Sequence, residues 1–209
     1  MINPVSVDDS STGFGTVIAV NQQNGQQIAI GAPGYAGSVN NNATTGAVFL
    51  YSVGGTLEQS LYPVITGSDR FGTSIAMSGT TLAVGSPYSN DSGQFSGRVV
   101  IYSYTGLNWY QSKSFVPDSI EAFDEFGHTV ALVLNPDDPP NLNRLVVGAP
   151  GYDGVSDQDL GAVLSYRYSH PVEFADSYVS INVLRTNLAP VIASQTINID
   201  ENPAYDTVI

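Results

Sequence analysis

The chain has 209 residues, a formal net charge of −13 and only six lysine and arginine residues. So few cations cannot neutralise a run of phosphates, which excludes a general nucleic-acid binder and argues against docking on anionic membranes. With no cysteine, the chain has no disulfide, no thiolate nucleophile and no cysteine-based metal site.

In chain order, one sequence pattern occurs three times. Each copy begins with Phe-Gly, continues through a hydrophobic-Gly-Ala/Ser-Pro element, and ends in a Gly-led run that closes on tyrosine. The Phe-Gly pairs begin at Phe14, Phe71 and Phe126, so they are 57 and 55 residues apart. A fixed period of this size indicates stacked supersecondary units. The predicted repeats lie near residues 14–65, 71–117 and 126–184.

Each copy predicts four short strands. The runs are rich in Val, Ile and Tyr and are bounded by Gly, Pro, Asn and Ser, which is the composition of strands and turns. No stretch keeps a helical period, and 21 Gly and 12 Pro would interrupt any long helix. The sequence therefore predicts an all-β fold built from four-stranded units.

Recurring residues of the pattern have predicted structural roles. Each Phe of the Phe-Gly pair should bury its ring between neighbouring sheets. Pro33, Pro87 and Pro150 have no N–H for a strand ladder and should end their strands. Asn24-Gly25 and Ser78-Gly79 predict tight turns between the first and second strands of their repeats.

The whole pattern resembles the FG-GAP repeat, the blade of the integrin α-subunit β-propeller. The second copy shows it best, in Phe71-Gly72, 82–87, 97–102 and Trp109. The resemblance implies four-stranded blades around an axis, and three blades are fewer than the roughly four to eight of a closed propeller. We therefore expect a partial propeller over residues 1–186, with missing blades supplied by the rest of a parent chain or by a second chain. The alternative is an open arc of three blades.

The composition changes after residue 186. The segments 189–192, 196–203 and 207–209 resemble the opening of a cadherin-like repeat, which is a β-sandwich. In that family the glutamate of this segment is often a calcium ligand between domains, and Glu201 is the matching position. We expect residues 187–209 to be a linker and the truncated beginning of a cadherin-like or immunoglobulin-like sandwich. The alternative is an acidic linker that carries one strand.

Calcium is the cofactor that the resemblance implies. Integrin-type blades often carry an acidic loop between their first and second strands, because calcium needs several converging oxygen ligands. The corresponding loops here are 21–27, 78–81 and 135–141, and none has that ligand pattern. A weaker candidate is the loop after Pro150, for which a solvated acidic loop is the alternative. Its three carboxylates are Asp153, Asp157 and Asp159.

Carboxylates and histidines are the candidate catalytic groups of the sequence. Asp124-Glu125 precedes Phe126, and a glycosidase would need two carboxylates about 5–10 Å apart. Asp69-Arg70 fills the same place in the second repeat, and this variation favours a turn over a tuned acid. His128 and His170 are expected to be ordinary blade-edge or loop residues.

Aromatic residues are the remaining candidates for ligand contact. In each repeat a tyrosine stands one or two residues after the Gly-Ala/Ser-Pro element. Strand ends on one face of a propeller gather around its axis, so the three rings would share a patch suited to a partner surface. The alternative is that each ring packs against the loop of its own blade. The three residues are Tyr35, Tyr88 and Tyr152.

The resemblance implies a non-enzymatic adhesion or binding module, outside the cell or on its surface, that engages a protein or a glycan through propeller-face loops. A second hypothesis is an accessory propeller of a secreted hydrolase whose catalytic part lies outside this chain. A third is a structural spacer in a long surface protein. No apolar run reaches transmembrane length, and the first 20 residues lack a signal-peptide pattern. We therefore expect no direct membrane insertion.

Overall fold

The computed structural model describes residues 12–21, 27–36, 45–63, 69–133, 143–153, 160–169 and 173–181. In these segments every regular element is a β-strand. The first sheet contains β1 (Ile18–Asn21), β2 (Gln27–Ala32), β3 (Ala47–Ser52) and β4 (Leu57–Leu61). The second contains β5 (Ser74–Ser78), β6 (Thr81–Ser86), β7 (Arg98–Tyr104) and β8 (Trp109–Phe115). The third contains β9 (Thr129–Val133), β10 (Asn143–Ala149), β11 (Ala162–Ser169) and β12 (Glu173–Ile181).

All three sheets have the same topology. Each is a four-stranded antiparallel meander in which consecutive strands are neighbours. This confirms the predicted all-β fold of four-stranded units, which is consistent with partial propeller blades. The fourth strand of the third sheet begins at Glu173, whereas the sequence pattern placed its start at residue 177.

Proline and glycine set the strand boundaries as expected. The second strand of each sheet ends one residue before a proline, at Ala32, Ser86 and Ala149. Between β5 and β6 the chain reverses in two residues, because Ser78 pairs with Thr81 and Gly79 adopts a φ of 58°. The predicted turn at Asn24-Gly25 lies outside the described residues.

The repetition extends to side-chain packing. In each sheet the Phe of Phe-Gly meets the tyrosine that closes the third-strand run, with the rings nearly edge to face. The ring centroids are 6.3 Å apart for Phe14 and Tyr51, 6.2 Å for Phe71 and Tyr102, and 6.2 Å for Phe126 and Tyr166. The three sequence copies therefore fold into equivalent structures.

The described core has two seams between neighbouring sheets and a third buried cluster on the other face of the first sheet, around Ile30, Phe49 and Tyr51. In the first seam, Val48 and Leu50 of the first sheet pack against Phe71, Val84 and other residues of the second. In the second seam, Val99 and Ile101 of the second sheet pack around Phe126 with residues of the third. Phe71 and Phe126 are fully buried, as predicted, whereas Phe14 is half-buried.

The seams need glycine where the backbones meet. A side chain at Gly31 would collide with the carbonyl oxygen of Gly72, and one at Gly85 would collide with that of Gly127. Glycine is therefore required at these points for the sheets to approach each other. The backbone N–H of Phe71 donates to Thr45 O at 3.0 Å across the first seam.

Polar side chains also join the first two sheets, where Trp109 at the start of β8 meets β2 and β4. The indole N–H of Trp109 donates to Gln27 Oε1 at 3.0 Å. Gln59 exchanges two hydrogen bonds with the backbone of Trp109, at 2.7 and 2.8 Å. These bonds satisfy polar groups that would otherwise be buried without partners, which fixes the relative position of the first two sheets.

Candidate functional site on the loop face

One edge of the sheets, which we call the loop face, carries the connections between second and third strands and the Phe-Gly segments. Here residues 94–97 run beside residues 123–126. The N–H of Phe123 donates to Gln94 O at 2.7 Å, and that of Glu125 donates to Phe95 O at 3.0 Å. These backbone bonds join the loops of the second and third sheets into one surface.

The non-glycine residues with left-handed backbone in the described segments all lie on the loop face. Their φ values are 51° at Arg70, 55° at Phe95, 71° at Phe123 and 54° at Glu125. Arg70 and Glu125 immediately precede a Phe-Gly pair, where Gly13 has a φ of 64° in the first repeat, so this conformation belongs to the repeat itself. For a bulky aromatic residue, left-handed backbone is rare and costs about 1–3 kcal/mol.

Three of these four residues belong to the aromatic row, a continuous series of stacked side chains formed by Arg70, Tyr88, Phe95 and Phe123. The guanidinium carbon of Arg70 lies 4.8 Å from the centroid of the Tyr88 ring. Ring centroids are 5.0 Å apart for Tyr88 and Phe95, and 6.0 Å for Phe95 and Phe123. Phe123 ends the row with 54% of its surface exposed. The strained backbone thus holds a large apolar ring in solvent at one end of a row that has the Arg70 cation at its other end.

The three tyrosines that the sequence singled out occupy two kinds of position. Tyr35, Ser89 and Tyr152 occupy the same position in the three repeats, because their backbone N–H groups make the equivalent hydrogen bond. Tyr88 lies one residue before that position in the second repeat. Tyr35 packs on Phe49 at 5.4 Å, and Tyr152 packs against the core of the second seam. Only Tyr88 of the three is a member of the aromatic row. A shared binding role for all three stays a prediction.

An acidic cleft of about 190 Å³ opens beside the aromatic row. It is lined by Ser119, Glu121, Asp124, Tyr152 and Asp153. Asp124 is buried, and its carboxylate accepts hydrogen bonds from the N–H of Glu121 at 2.8 Å and from the backbone of Asp153. Burial is the largest cause of a raised pKa at Asp124, and the negative charges of Asp153 and Glu121 raise the pKa further. The hydrogen bonds from backbone N–H groups act in the opposite direction and lower it.

This raised pKa predicts a pH dependence. The folded state holds the Asp124 proton more tightly than the unfolded chain, so its stabilising contribution is complete below the unfolded pKa and is lost as pH rises through the folded pKa. Asp124→Asn removes this titration. We expect the Tm difference, variant minus wild type, to be more positive near neutral pH than near about pH 4. Melting curves at both values test this, and a difference that is constant with pH would contradict it.

The cleft does not by itself form a calcium site. Within the described segments, no group of three His, Asp or Glu side chains is placed to hold a metal ion. Of the predicted ligands only Asp153 belongs to these segments; Asp157, Asp159 and Glu201 lie outside them. The β5–β6 turn has no acidic residue, so the described residues do not fit the calcium loop of integrin-type blades.

A buried ion pair was missed by the sequence reasoning. Arg98 is almost fully buried, and its Nη2 lies 2.7 Å from Oδ2 of Asp69, which is also buried; Nη1 lies 3.4 Å from the more exposed Asp91. Asp69 holds the place that Asp124 holds in the third repeat. Arg98 stands where the other repeats have Ala47 and Ala162, so alignment of the three copies carried a signal for this pair.

His128 does not line the cleft. His128 is exposed, and its Nδ1 lies 3.0 Å from Oε2 of Glu125. This contact ties Glu125 to its own turn, in agreement with a turn role for the residues before Phe126. His170 lies outside the described residues.

Comparison with known proteins supports this description at one repeat. The family model of the FG-GAP repeat matches residues 65–102, which contain β5, β6 and most of β7. The chain therefore contains an FG-GAP repeat at the centre of its described structure. No curated protein gives a match to the chain. No helix long and apolar enough to span a membrane occurs in the described segments.

Proposed function

We propose that the chain is a non-enzymatic binding module of the integrin-α propeller type, which acts outside the cell or on its surface. The FG-GAP repeat at residues 65–102 and the two further sheets of the same topology support a three-blade section of a propeller. Modules with this repeat are typically extracellular and bind rather than catalyse. The missing blades would come from a longer parent chain or a second chain.

The aromatic row is the proposed contact surface for a protein or glycan. The observation that carries this is Phe123, which stays exposed although its backbone is strained and glycine would avoid that strain. Tyrosine and arginine, which the row contributes as Tyr88 and Arg70, are among the residues that most often dominate binding energy at interfaces. Rings held by packing on Tyr88 and Phe95 also lose little conformational freedom when a partner binds.

The carboxylates near the row fit a structural role. Asp69 is paired with Arg98, Asp124 accepts hydrogen bonds from backbone groups, and Glu125 contacts His128. Each of these groups orients its own loop, which supports a surface built for contact. Calcium at Asp153, Asp157, Asp159 or Glu201, and a cadherin-like module at 187–209, stay predictions.

Phe123→Ser is expected to weaken binding more than about tenfold, because it removes the exposed end of the row. Immobilised gelatin serves as the protein probe, and xylan, laminarin and mannan serve as glycan probes. Leu107→Ser is the matched control, since Leu107 is 86% exposed but lies on the β7–β8 turn at the opposite edge.

Surface plasmon resonance with each probe gives the affinities. Binding that Phe123→Ser and Leu107→Ser reduce equally would show that the row is not the contact surface. Hydrolysis of any glycan probe by the purified chain, abolished by Asp124→Asn, would contradict the non-enzymatic assignment.

A further inference from the structure

In both seams the chain continues from the fourth strand of one sheet and docks a Phe-Gly pair on the sheet that it has just left. The N–H of Phe71 donates to Thr45 O at 3.0 Å, and that of Phe126 donates to Ser96 O at 2.9 Å. Each phenylalanine also forms a parallel bridge with the glycine that follows its acceptor residue. The first two sheets therefore each bind the chain segment that follows them.

The third sheet has a cavity of about 330 Å³ at the place where this docking occurs in the other two sheets. Leu160 and Gly161 line the cavity, and they stand where Ser96 and Gly97 contact Phe126 in the second sheet. The third sheet thus has room at this position for a following segment of chain.

The cavity also keeps a polar group that binds such a segment. Ser74 pairs with Gly85 in the second sheet, and its Oγ donates to the carbonyl oxygen of Gly127 at 2.7 Å across the second seam. Thr129 is the equivalent residue of the third sheet, because it pairs with Gly148, and both residues line the cavity. A hydroxyl is therefore in place to donate to a backbone carbonyl of the segment that docks here.

The chain leaves the third sheet beside this cavity. Ile181, the last residue of β12, pairs with Val163, which lines the cavity and is 37% exposed. In the first two sheets the residues paired with the equivalent valines are Leu61 and Phe115, and the docked phenylalanines follow them by 10 and 11 residues. The same spacing after Ile181 leads to Val191-Ile192, which are both apolar.

The outer face of the third sheet, which we call the trailing face, is more polar than the faces that form the two seams. Ser165 stands where Leu50 and Ile101 fill the seams. Arg144 and Arg167 are directly opposite each other on this face, and like charges at paired positions repel. An acidic strand fits this face better than another apolar sheet does, because its charge relieves that repulsion.

A contact in the first seam shows how far along the face a docked segment reaches. Asn21, at the end of β1, donates from Nδ2 to Gly79 O at 2.6 Å, and Gly79 follows the docked Phe71 by eight residues. Val133 is the equivalent of Asn21 in the third sheet, and it pairs with Arg144. The eighth residue after a docked pair therefore lies at the depth of this arginine.

We propose that residues 182–209, the tail, dock on the trailing face of their own third sheet. The tail lies outside the described residues. In this arrangement Val191-Ile192 occupy the cavity, where Thr129 donates to their backbone. Eight residues further on, positions 199–200 reach Arg144, so that Asp200-Glu201 neutralise Arg144 and Arg167. The tail then ends the series of blades at the third sheet, and further blades join at the first sheet.

Thiol labelling of the full chain tests the proposal, because the chain has no cysteine of its own. Val163→Cys places a single thiol on the trailing face, and Leu107→Cys places one on the exposed β7–β8 turn as the control. We expect Val191→Ser with Ile192→Ser to raise the rate at which iodoacetamide labels Val163→Cys by at least about tenfold, because the tail no longer protects that thiol. The labelling rate of Leu107→Cys should not change.

A charge exchange tests the second contact. In the Val163→Cys background, Arg144→Glu should also raise the labelling rate, because it repels Asp200-Glu201. Adding Asp200→Lys with Glu201→Lys should restore the protection, since opposite charges again lie side by side. Restored protection would also show that the variants keep their fold.

Three results would overturn the proposal. A labelling rate of Val163→Cys that the Val191→Ser and Ile192→Ser changes leave unaltered would mean that the tail does not cover the trailing face, as expected if it belongs to a separate sandwich module. A rate that falls as the protein concentration rises would assign the cover to a second copy. Failure of the charge exchange to restore protection would exclude contact between Asp200-Glu201 and Arg144.

Discussion

Replacement of Phe71 by alanine is expected to lower the free energy of unfolding by about 3–5 kcal/mol, the usual cost of removing a fully buried phenylalanine. The ring is 0% exposed and fills the first seam, where it contacts Tyr102 and packs with Val48 and Leu50 of the preceding sheet. Since neighbouring backbones already touch at Gly31 and Gly72, the sheets have little freedom to close the resulting cavity.

Phe14→Ala is the matched control for Phe71→Ala. Phe14 makes the same edge-to-face contact within its own sheet, at 6.3 Å from Tyr51, but it is half-buried. Its replacement should cost clearly less. Urea denaturation followed by the fluorescence of Trp109, the chain's one tryptophan, measures both, because Trp109 packs in the first seam. Equal losses for the two variants would mean that burial between sheets is not what stabilises the motif.

The sheets and seams were predictable because their causes are local and repeat along the chain. Strand ends follow from Pro33, Pro87 and Pro150, whose missing N–H stops the ladder in every copy. The buried positions of Phe71 and Phe126 follow from an aromatic-glycine pair that occurs at a constant spacing. Because the same strand ends and buried aromatic positions recur in each copy, these features could be predicted from the sequence.

The candidate site was harder to predict because its residues come together through tertiary structure. Phe95 lies in the second repeat and Phe123 in the segment before the third, yet backbone bonds between their loops bring the rings to 6.0 Å. Their left-handed backbone gave no signal, since aromatic residues rarely adopt it. The three tyrosines looked equivalent by spacing, but a one-residue difference places Tyr88 in the row and Tyr35 against Phe49.

The buried ion pair gives the second large prediction. Arg98→Met should lower the free energy of unfolding by about 3–5 kcal/mol near neutral pH, because it leaves the Asp69 carboxylate buried without its partner. Methionine keeps much of the side-chain volume, so the loss reports charge more than packing. The double variant Arg98→Met with Asp69→Leu should recover most of the stability, since an apolar pair needs no compensating charge.

The pH dependence of Arg98→Met separates charge from packing. Burial raises the pKa of Asp69 in the folded protein, and the Arg98 charge opposes that rise. Without Arg98 the pKa rises further, so the variant's folded state binds the Asp69 proton more tightly than the unfolded chain does. Stability gained from this proton is complete below the unfolded pKa and is lost as pH rises through the folded pKa. The gap between wild type and variant should therefore be smaller near about pH 4 than near neutrality. Denaturation curves at both pH values measure the gap, and a gap that does not change with pH would assign the loss to the packing of the Arg98 side chain.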